Sequence, residues 1–216
     1  MPLSTLAASA VVAASAALGA SLPAPVPAPP TEAQAPTFAV GEEWDFEFTN
    51  ALDPGQNSRH TQKVASLANG QTSLALGGGR SGSVILDGSS NIVRSGSASY
   101  SPSDQKLSFP LSVGKTWSAS YVYSNGNWKT QCDREAKVVA VERIETEAGA
   151  FDAFKIEEKT LWQSNDLYGG RGVSRETDWY APAVGRIVKQ EYQDLPTKGP
   201  ATTTRLQLTR HVPAPR

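Results

Sequence analysis

The chain has 216 residues, with 20 Lys plus Arg against 21 Asp plus Glu and a formal net charge of −1. This length suits one folded domain with a tail. The near-neutral charge excludes the strongly basic surface of a nucleic-acid-binding protein, so we expect no nucleic-acid partner. Cys132 is the single cysteine, which excludes an intrachain disulfide and a cysteine-rich structural zinc site.

Residues 3–22 carry no charge and are rich in Ala, Ser and Leu. Such an apolar run followed by small residues is typical of a secretory signal peptide. Two alternatives remain open: an uncleaved N-terminal anchor, or no targeting role. We expect an extracytoplasmic protein, periplasmic or secreted, that contacts a membrane only if residues 3–22 are uncleaved.

Residues 23–36 alternate Pro and Ala, a composition that favours an extended spacer over helix or sheet. The predicted organisation has four parts: a signal peptide or weak N-terminal anchor at residues 1–22, a linker at 23–36, a single β domain at 37–211 and a disordered tail at 212–216.

Period-two alternation of apolar and polar residues dominates the predicted domain. Trp44, Phe46 and Phe48 share one face of the first strand, whereas acidic residues occupy the other, which indicates a half-buried strand. Asn69-Gly70 and Asn125-Gly126 are dipeptides typical of tight hairpin turns.

The second of these turns joins residues 118–124 to the long segment 128–144, and we predict the tall central hairpin of a curved sheet there. Residues 95–105 are polar and are predicted as a loop.

The stretch from Glu147 to Tyr192 predicts two strands separated by a Gly-rich loop at residues 163–172. Further short strands precede and follow it, and no long segment has the 3.6-residue periodicity of a helix. The predicted fold class is therefore all-β: a curved antiparallel sheet of about nine to eleven strands.

Three short motifs carry a resemblance to a known family: Phe109–Trp117, Ala148–Ile156 and Trp179–Gly185. Together they resemble the TapB-like bacterial exported domains of unknown function. The resemblance implies an incomplete, half-open barrel located in the bacterial cell envelope. It implies no established activity, so it supplies no catalytic residues.

Several enzyme chemistries lack the residues that they need. The sequence has no Gly-x-Ser-x-Gly motif, and neither His60 in a polar strand nor His211 near the C-terminus is a credible base for a catalytic triad. Two distant histidines also give no metal-site spacing. We predict no catalytic residues, no metal and no cofactor.

A glycoside hydrolase is harder to exclude, because carboxylates on neighbouring strands could form a catalytic pair. The same residues more often form cross-strand ion pairs. The carboxylates concerned are Glu157, Glu158, Asp178 and Glu191.

Ligand binding is the favoured function, because a curved sheet can hold a ligand on a concave face lined by aromatic rings. The candidate ligand-binding residues are Trp117, Tyr121, Glu158, Trp162 and Trp179, unless these rings simply form the core. We predict an exported, non-enzymatic domain that binds a hydrophobic, lipid-like or glycan ligand. The alternative is a structural or protein-interaction domain whose loops at residues 95–106 and 163–173 meet an envelope protein partner.

Overall fold

The computed structural model describes residues 28–165 and 170–215. The predicted signal peptide or anchor at residues 1–22 lies outside the described residues. Within the part that is described, no helix has the length and apolar character needed to cross a bilayer. The described chain contains fourteen β-strands and one short 3-10 helix, Pro54–Gln56.

Twelve antiparallel strands form a closed barrel in the order β10-β11-β12-β13-β14-β2-β3-β4-β5-β6-β7-β9. Their bounds are Glu43–Asn50 (β2), Ser58–Ala68 (β3), Gln71–Gly78 (β4), Ser83–Leu86 (β5), Ile92–Ser95 (β6), Ala98–Ser101 (β7), Thr116–Asn125 (β9), Trp128–Thr146 (β10), Gly149–Ser164 (β11), Arg171–Ala181 (β12), Arg186–Pro196 (β13) and Thr202–Val212 (β14). A separate two-stranded sheet pairs Glu32–Ala33 (β1) with Leu111–Ser112 (β8).

The prediction of an all-β antiparallel fold is confirmed, but the prediction of a half-open barrel of about nine to eleven strands is wrong. The error lies at β7, which falls within residues 95–105, predicted as a loop. This four-residue strand pairs with β6 on one side and with β9 on the other. Because β9 also pairs with β10, β7 supplies the contact that closes the ring.

Local sequence explains the hairpins and the curvature. Asn69 and Gly70 have φ values of 53° and 72°, the positive values that a two-residue turn between β3 and β4 requires. The hairpin predicted around Asn125-Gly126 is β9 with β10, but the tallest hairpin is β10 with β11, of 19 and 16 residues. β-Bulges interrupt several strand pairs; in the β10–β11 pair, for example, one lies between Val138 and Ala140. Bulges bend a sheet and increase its twist.

Apolar side chains fill part of the barrel in two clusters. The larger contains Trp44, Phe46, Val64 and Leu74 from β2 to β4. The smaller contains Val138, Phe154, Ile156 and Tyr180 from β10 to β12, packed with Leu107 and Leu111 from the segment between β7 and β9. Ala33, from the Pro/Ala-rich stretch, is buried in the same cluster.

The segment between β7 and β9 is held against the inner side chains by polar contacts. The Asn91 side chain bonds both the backbone N–H and the carbonyl oxygen of the same residue, Leu107. The indole Nε1 of Trp117 donates to the Gln105 carbonyl at 3.2 Å. These bonds fix Asp104 and Lys106 at the floor of the cavity described next.

Candidate functional site

A cavity of about 470 Å³ occupies the barrel interior beside the two apolar clusters. Its lining comes from eight consecutive strands of the ring, β6, β7 and β9 to β14, and this places it inside the barrel rather than on its surface. The volume lies within the range of roughly 300–1,000 Å³ typical of small-molecule sites.

Six aromatic rings line this cavity, together with neutral polar and charged side chains. The rings are those of Tyr100, Tyr121, Tyr123, Trp128, Trp162 and Tyr192. The neutral polar residues are Thr130, Thr160, Ser174, Gln190 and Thr204, and the charged ones are Asp104, Lys106, Arg134, Glu176 and Asp194.

Arg134 is the central cation of the cavity floor. Its Nη1 lies 2.7 Å from Glu158 Oε2 and its Nη2 lies 3.7 Å from Glu176 Oε2, in a group of side chains that are each at most 5% exposed. The approach to Glu158 is a close ion pair without hydrogen-bond angles, so neither atom has a hydrogen-bond partner. Arg134 donates instead to Thr160 Oγ1 at 3.3 Å and to Tyr121 Oη at 3.2 Å.

Lys106 brings the second cation to the same group. Its Nζ donates to Glu176 Oε1 and lies 3.9 Å from Asp178 Oδ2. Four carboxyl groups, those of Asp104, Glu158, Glu176 and Asp178, thus share two cations inside the barrel. Because a buried charge without a partner is costly, this imbalance favours proton binding by some of the carboxyls.

The pKa shifts of the buried carboxyls agree with this excess of carboxyls over cations. Burial raises the pKa of Glu158 well above its usual value, even though Arg134 acts against the shift. Burial, reinforced by the Glu176 charge, raises the pKa of Asp178 to about 7. Burial would also raise the pKa of Glu176, but Lys106 and Arg134 outweigh it and the pKa is lowered. The group therefore combines protonated and ionised carboxyls near neutral pH.

The carboxylates could in principle hold a metal ion, because ligand oxygens of Glu158, Glu176 and Asp178 lie within 4.8 Å of one another. Lys106 and Arg134, however, already lie against these oxygens. A divalent cation would have to bind beside two fixed positive charges. The donor set therefore fits ion pairs and protons better than a metal.

Only two of the five candidate residues predicted from the sequence line the described cavity. Tyr121 and Trp162 do so, and Trp162 Nε1 also donates to Asp194 Oδ1 at 2.8 Å. Glu158 is buried on the far side of Arg134 as its ion-pair partner.

The other two candidates have structural contacts elsewhere. Trp117 holds the Gln105 carbonyl, as described above. Trp179 is buried and donates through Nε1 to Glu142 at 2.8 Å, with Lys155 and Lys189 over its ring.

Sequence reasoning missed most of the cavity lining. Tyr123 lies two residues after Tyr121 on the same strand face, so alternation already indicated it. The sequence places Arg134 and Glu176 in strands with alternating polar residues, but nothing in it indicates that both side chains face the interior. Tyr100 lies in β7 and Lys106 follows it, both in or next to the segment predicted as a loop.

A second buried polar group lies on β3 and β13. Arg186 lies over the rings of Trp44 and Phe46, with its Cζ 5.2 Å and 5.9 Å from their centroids. His60 stacks on Phe46 at 5.9 Å. Burial, with help from the Arg80 charge, lowers the pKa of His60 to about 4, so this imidazole is neutral near pH 7.

One family matches part of the chain: a DUF3108-like family, at residues 114–201. The match covers less than half of the chain, from the start of β9 to the turn before β14. It agrees with the expectation of a domain of unknown function, whereas the resemblance to TapB-like domains is not confirmed. No curated protein is significantly similar to the chain.

Solved structures with a similar arrangement include three bacterial proteins. A putative lipoprotein from Parabacteroides distasonis has 13% identity and a TM-score of 0.49, covering 83% of this chain and 99% of its own. The hypothetical lipoprotein YmcC from Escherichia coli has 11% identity and a TM-score of 0.47, covering 82% and 86%. A putative exported protein with a YmcC-like fold from Bacteroides fragilis has 13% identity and a TM-score of 0.43, covering 83% and 99%.

Proposed function

We propose that this protein is an exported, non-enzymatic β-barrel domain that binds a small organic ligand inside its barrel, in the bacterial cell envelope. The observation that carries the proposal is the cavity of about 470 Å³, lined by aromatic rings and by hydrogen-bonding side chains. Such mixed linings characterise small-molecule sites, in which rings supply contact area and a few polar groups fix orientation.

Export is the part of the proposal that rests on sequence. The uncharged, Ala-rich segment at residues 3–22 has the composition of a signal peptide. Fractionation of a bacterial host that expresses the full chain tests this: we expect the protein outside the cytoplasm. Retention in the cytoplasm of the native host would contradict it.

The arrangement of the carboxylates supports binding rather than hydrolysis. A glycosidase needs two carboxyl groups that both reach the substrate. Glu176 lines the cavity, but Glu158 lies behind Arg134 and Glu176 is itself held by Lys106. Ion pairing thus occupies Glu176, and the other two carboxyls of the lining, Asp104 and Asp194, accept from the Ile92 N–H and the Trp162 indole.

Native mass spectrometry of the full chain purified from its own host's envelope tests cavity binding. Thr204 lines the cavity, whereas its neighbour Thr203 points out of the barrel and is exposed. We expect a small molecule bound to the wild type and to Thr203→Trp, and lost or reduced in Thr204→Trp because the indole takes up part of the cavity. If no variant carries a ligand, the structural or protein-interaction alternative replaces the proposal.

A further inference from the structure

We infer that the ligand of the barrel cavity is a neutral saccharide, an assignment that rests on the cavity-binding function proposed above. Three features of the lining lead to it: the grouping of the rings, the supply of neutral hydrogen-bonding groups, and the pairing of every charged group on the floor. Each feature bears on a different competing class of ligand.

Three of the six rings form an aromatic wall in mutual contact. The Tyr100 centroid lies 5.3 Å from that of Tyr123 and 6.2 Å from that of Tyr121, in edge-on and tilted arrangements. Trp128 stands at the mouth with 53% of its surface exposed, which is unusual for so large an apolar side chain. Faces of such rings carry partial negative charge and attract the polarised C–H groups of a sugar ring.

Neutral hydrogen-bonding side chains line the same cavity. Thr130, Thr160, Ser174 and Thr204 contribute hydroxyls, and Gln190 contributes an amide. Hydroxyls both donate and accept, so they match the hydroxyls of a saccharide. A site that hydrogen-bonds a ligand in this way discriminates against ligands that lack the matching groups.

Each charged side chain that lines the cavity already has a partner in the protein. Arg134 is paired with Glu158, and Lys106 with Glu176. Asp194 accepts from the Trp162 indole, and Asp104 accepts from the Ile92 N–H. An anionic ligand would have to displace a buried carboxylate from its cation. A cationic ligand would have to enter beside Arg134 and Lys106.

A lipid chain fits the lining poorly. Among the described residues that line the cavity, Ile92 is the one aliphatic hydrocarbon side chain, and the rest are aromatic, polar or Cys132. Thr130 Oγ1 accepts from Trp128 Nε1 and Thr160 Oγ1 accepts from Arg134 Nε, but an acyl chain offers no acceptor to the O–H groups of the lining, and a buried polar group left unpaired costs about 1–3 kcal/mol. The lining therefore favours a ligand that is polar around its edge and apolar on its faces.

Isothermal titration of the full chain tests the assignment with a fixed panel: glucose, galactose, N-acetylglucosamine, maltose, cellobiose and diacetylchitobiose. Laurate, choline and inorganic phosphate represent the lipid, cationic and anionic classes. We expect binding of at least one saccharide and none of the other three. Trp128→Ala should weaken that binding by about tenfold or more, Trp128→Phe should retain most of it, and Leu161→Ala on the outer face should leave it unchanged.

The outcomes separate this inference from the function on which it rests. Binding of laurate, choline or phosphate alone, lost in Thr204→Trp, overturns the saccharide assignment and leaves cavity binding in place. Failure of the whole panel likewise overturns the assignment, while native mass spectrometry decides cavity binding independently. Saccharide binding that survives both Trp128→Ala and Thr204→Trp places the ligand elsewhere and overturns it too.

Discussion

The indole of Trp162 occupies the space in which a side chain on Gly172 would stand, since a Cβ there would lie 2.5 Å from Trp162 Cζ2. The two residues are direct cross-strand partners on β11 and β12. The missing side chain is what allows the indole to lie over β12 and reach Asp194 on β13. A glycine thus positions one of the cavity rings.

Gly172→Ala should therefore displace Trp162 and destabilise the barrel. The added Cβ would also meet the backbone of Leu195 and Pro196 at 2.7 Å and 2.8 Å, and backbone cannot rotate away. Overpacking of this kind costs about 1–3 kcal/mol. Urea unfolding with near-ultraviolet circular dichroism measures both effects. Gly77→Ala is the control, because its Cβ meets only Thr61 Cβ at 3.6 Å; equal losses in the two variants would contradict the prediction.

Removal of the Arg134 charge should be far more damaging than removal of an exposed arginine. Arg134→Met leaves Glu158 and Glu176 without their shared cation, and breaking a buried pair in this way costs about 3–5 kcal/mol. Arg143→Met breaks only the exposed pair with Asp152 and should cost less than about 1 kcal/mol. Denaturant unfolding gives both numbers.

A second substitution tests whether uncompensated charge causes that loss. Adding Glu176→Gln to Arg134→Met removes the carboxylate whose lowered pKa keeps it ionised, so the double variant should be more stable than Arg134→Met alone. A double variant that is less stable, by the sum of two independent losses, would show that packing rather than charge is responsible.

Asp178 should make the protein less stable as pH rises. Its pKa is raised from 3.8 to about 7 by burial and by Glu176, so the folded state favours the protonated form, and the associated stability is lost between about pH 4 and pH 7. Asp178→Asn should gain stability relative to the wild type across that window, approaching about 4 kcal/mol above pH 7. Asn keeps the acceptor that Gln190 Nε2 uses at 3.0 Å.

The measurement is the difference in free energy of unfolding between wild type and Asp178→Asn at a series of pH values. Asp152→Asn, at a more exposed carboxylate that pairs with Arg143, is the control and should lack this gain. A difference that stays constant from pH 4 to pH 8 would refute the role of Asp178.

His60 should make the protein less stable as pH falls, the opposite of the pH dependence expected from Asp178. Its pKa is lowered from 6.5 to about 4, so the folded state favours the neutral imidazole, and the associated stability is lost as pH falls from about 6.5 to about 4. His60→Phe preserves a ring against Phe46 and cannot titrate. Its stability relative to the wild type should rise by about 3 kcal/mol over that fall in pH, again measured by unfolding at each pH; no change would contradict the prediction.

Strand alternation and Asn-Gly turns predicted most of the barrel from the sequence. Trp44 and Phe46 share an inward face, and Asn69-Gly70 forms a tight turn, as expected from local chemistry alone. β7 was not predicted, because the strand has only four residues, Ala-Ser-Tyr-Ser, and most of them are polar. Pairing with β6 and β9 stabilises it, and such long-range pairing leaves little local signal.

The candidate site was only partly predictable. Periodicity shows which side chains share one face of a strand, but it does not show whether that face borders a cavity or another segment of the chain. Tyr121 and Trp162 were selected as large rings on alternating strands, and they line the cavity. Trp117 satisfied the same criterion but holds the Gln105 carbonyl. The difference arises from the path of the segment between β7 and β9 through the interior, which no spacing rule specifies.

Closure of the ring by β7 has a consequence for self-association. A sheet with a free edge offers unpaired N–H and C=O groups on which another chain can add a strand and aggregate. Among the described residues, each strand of the ring pairs with two neighbours, which leaves fewer such groups unpaired, although residues 140–146 of β10 pair with β11 alone. The four residues Ala98–Ser101 thus remove a free edge, between β6 and β9, at which such strand addition could occur.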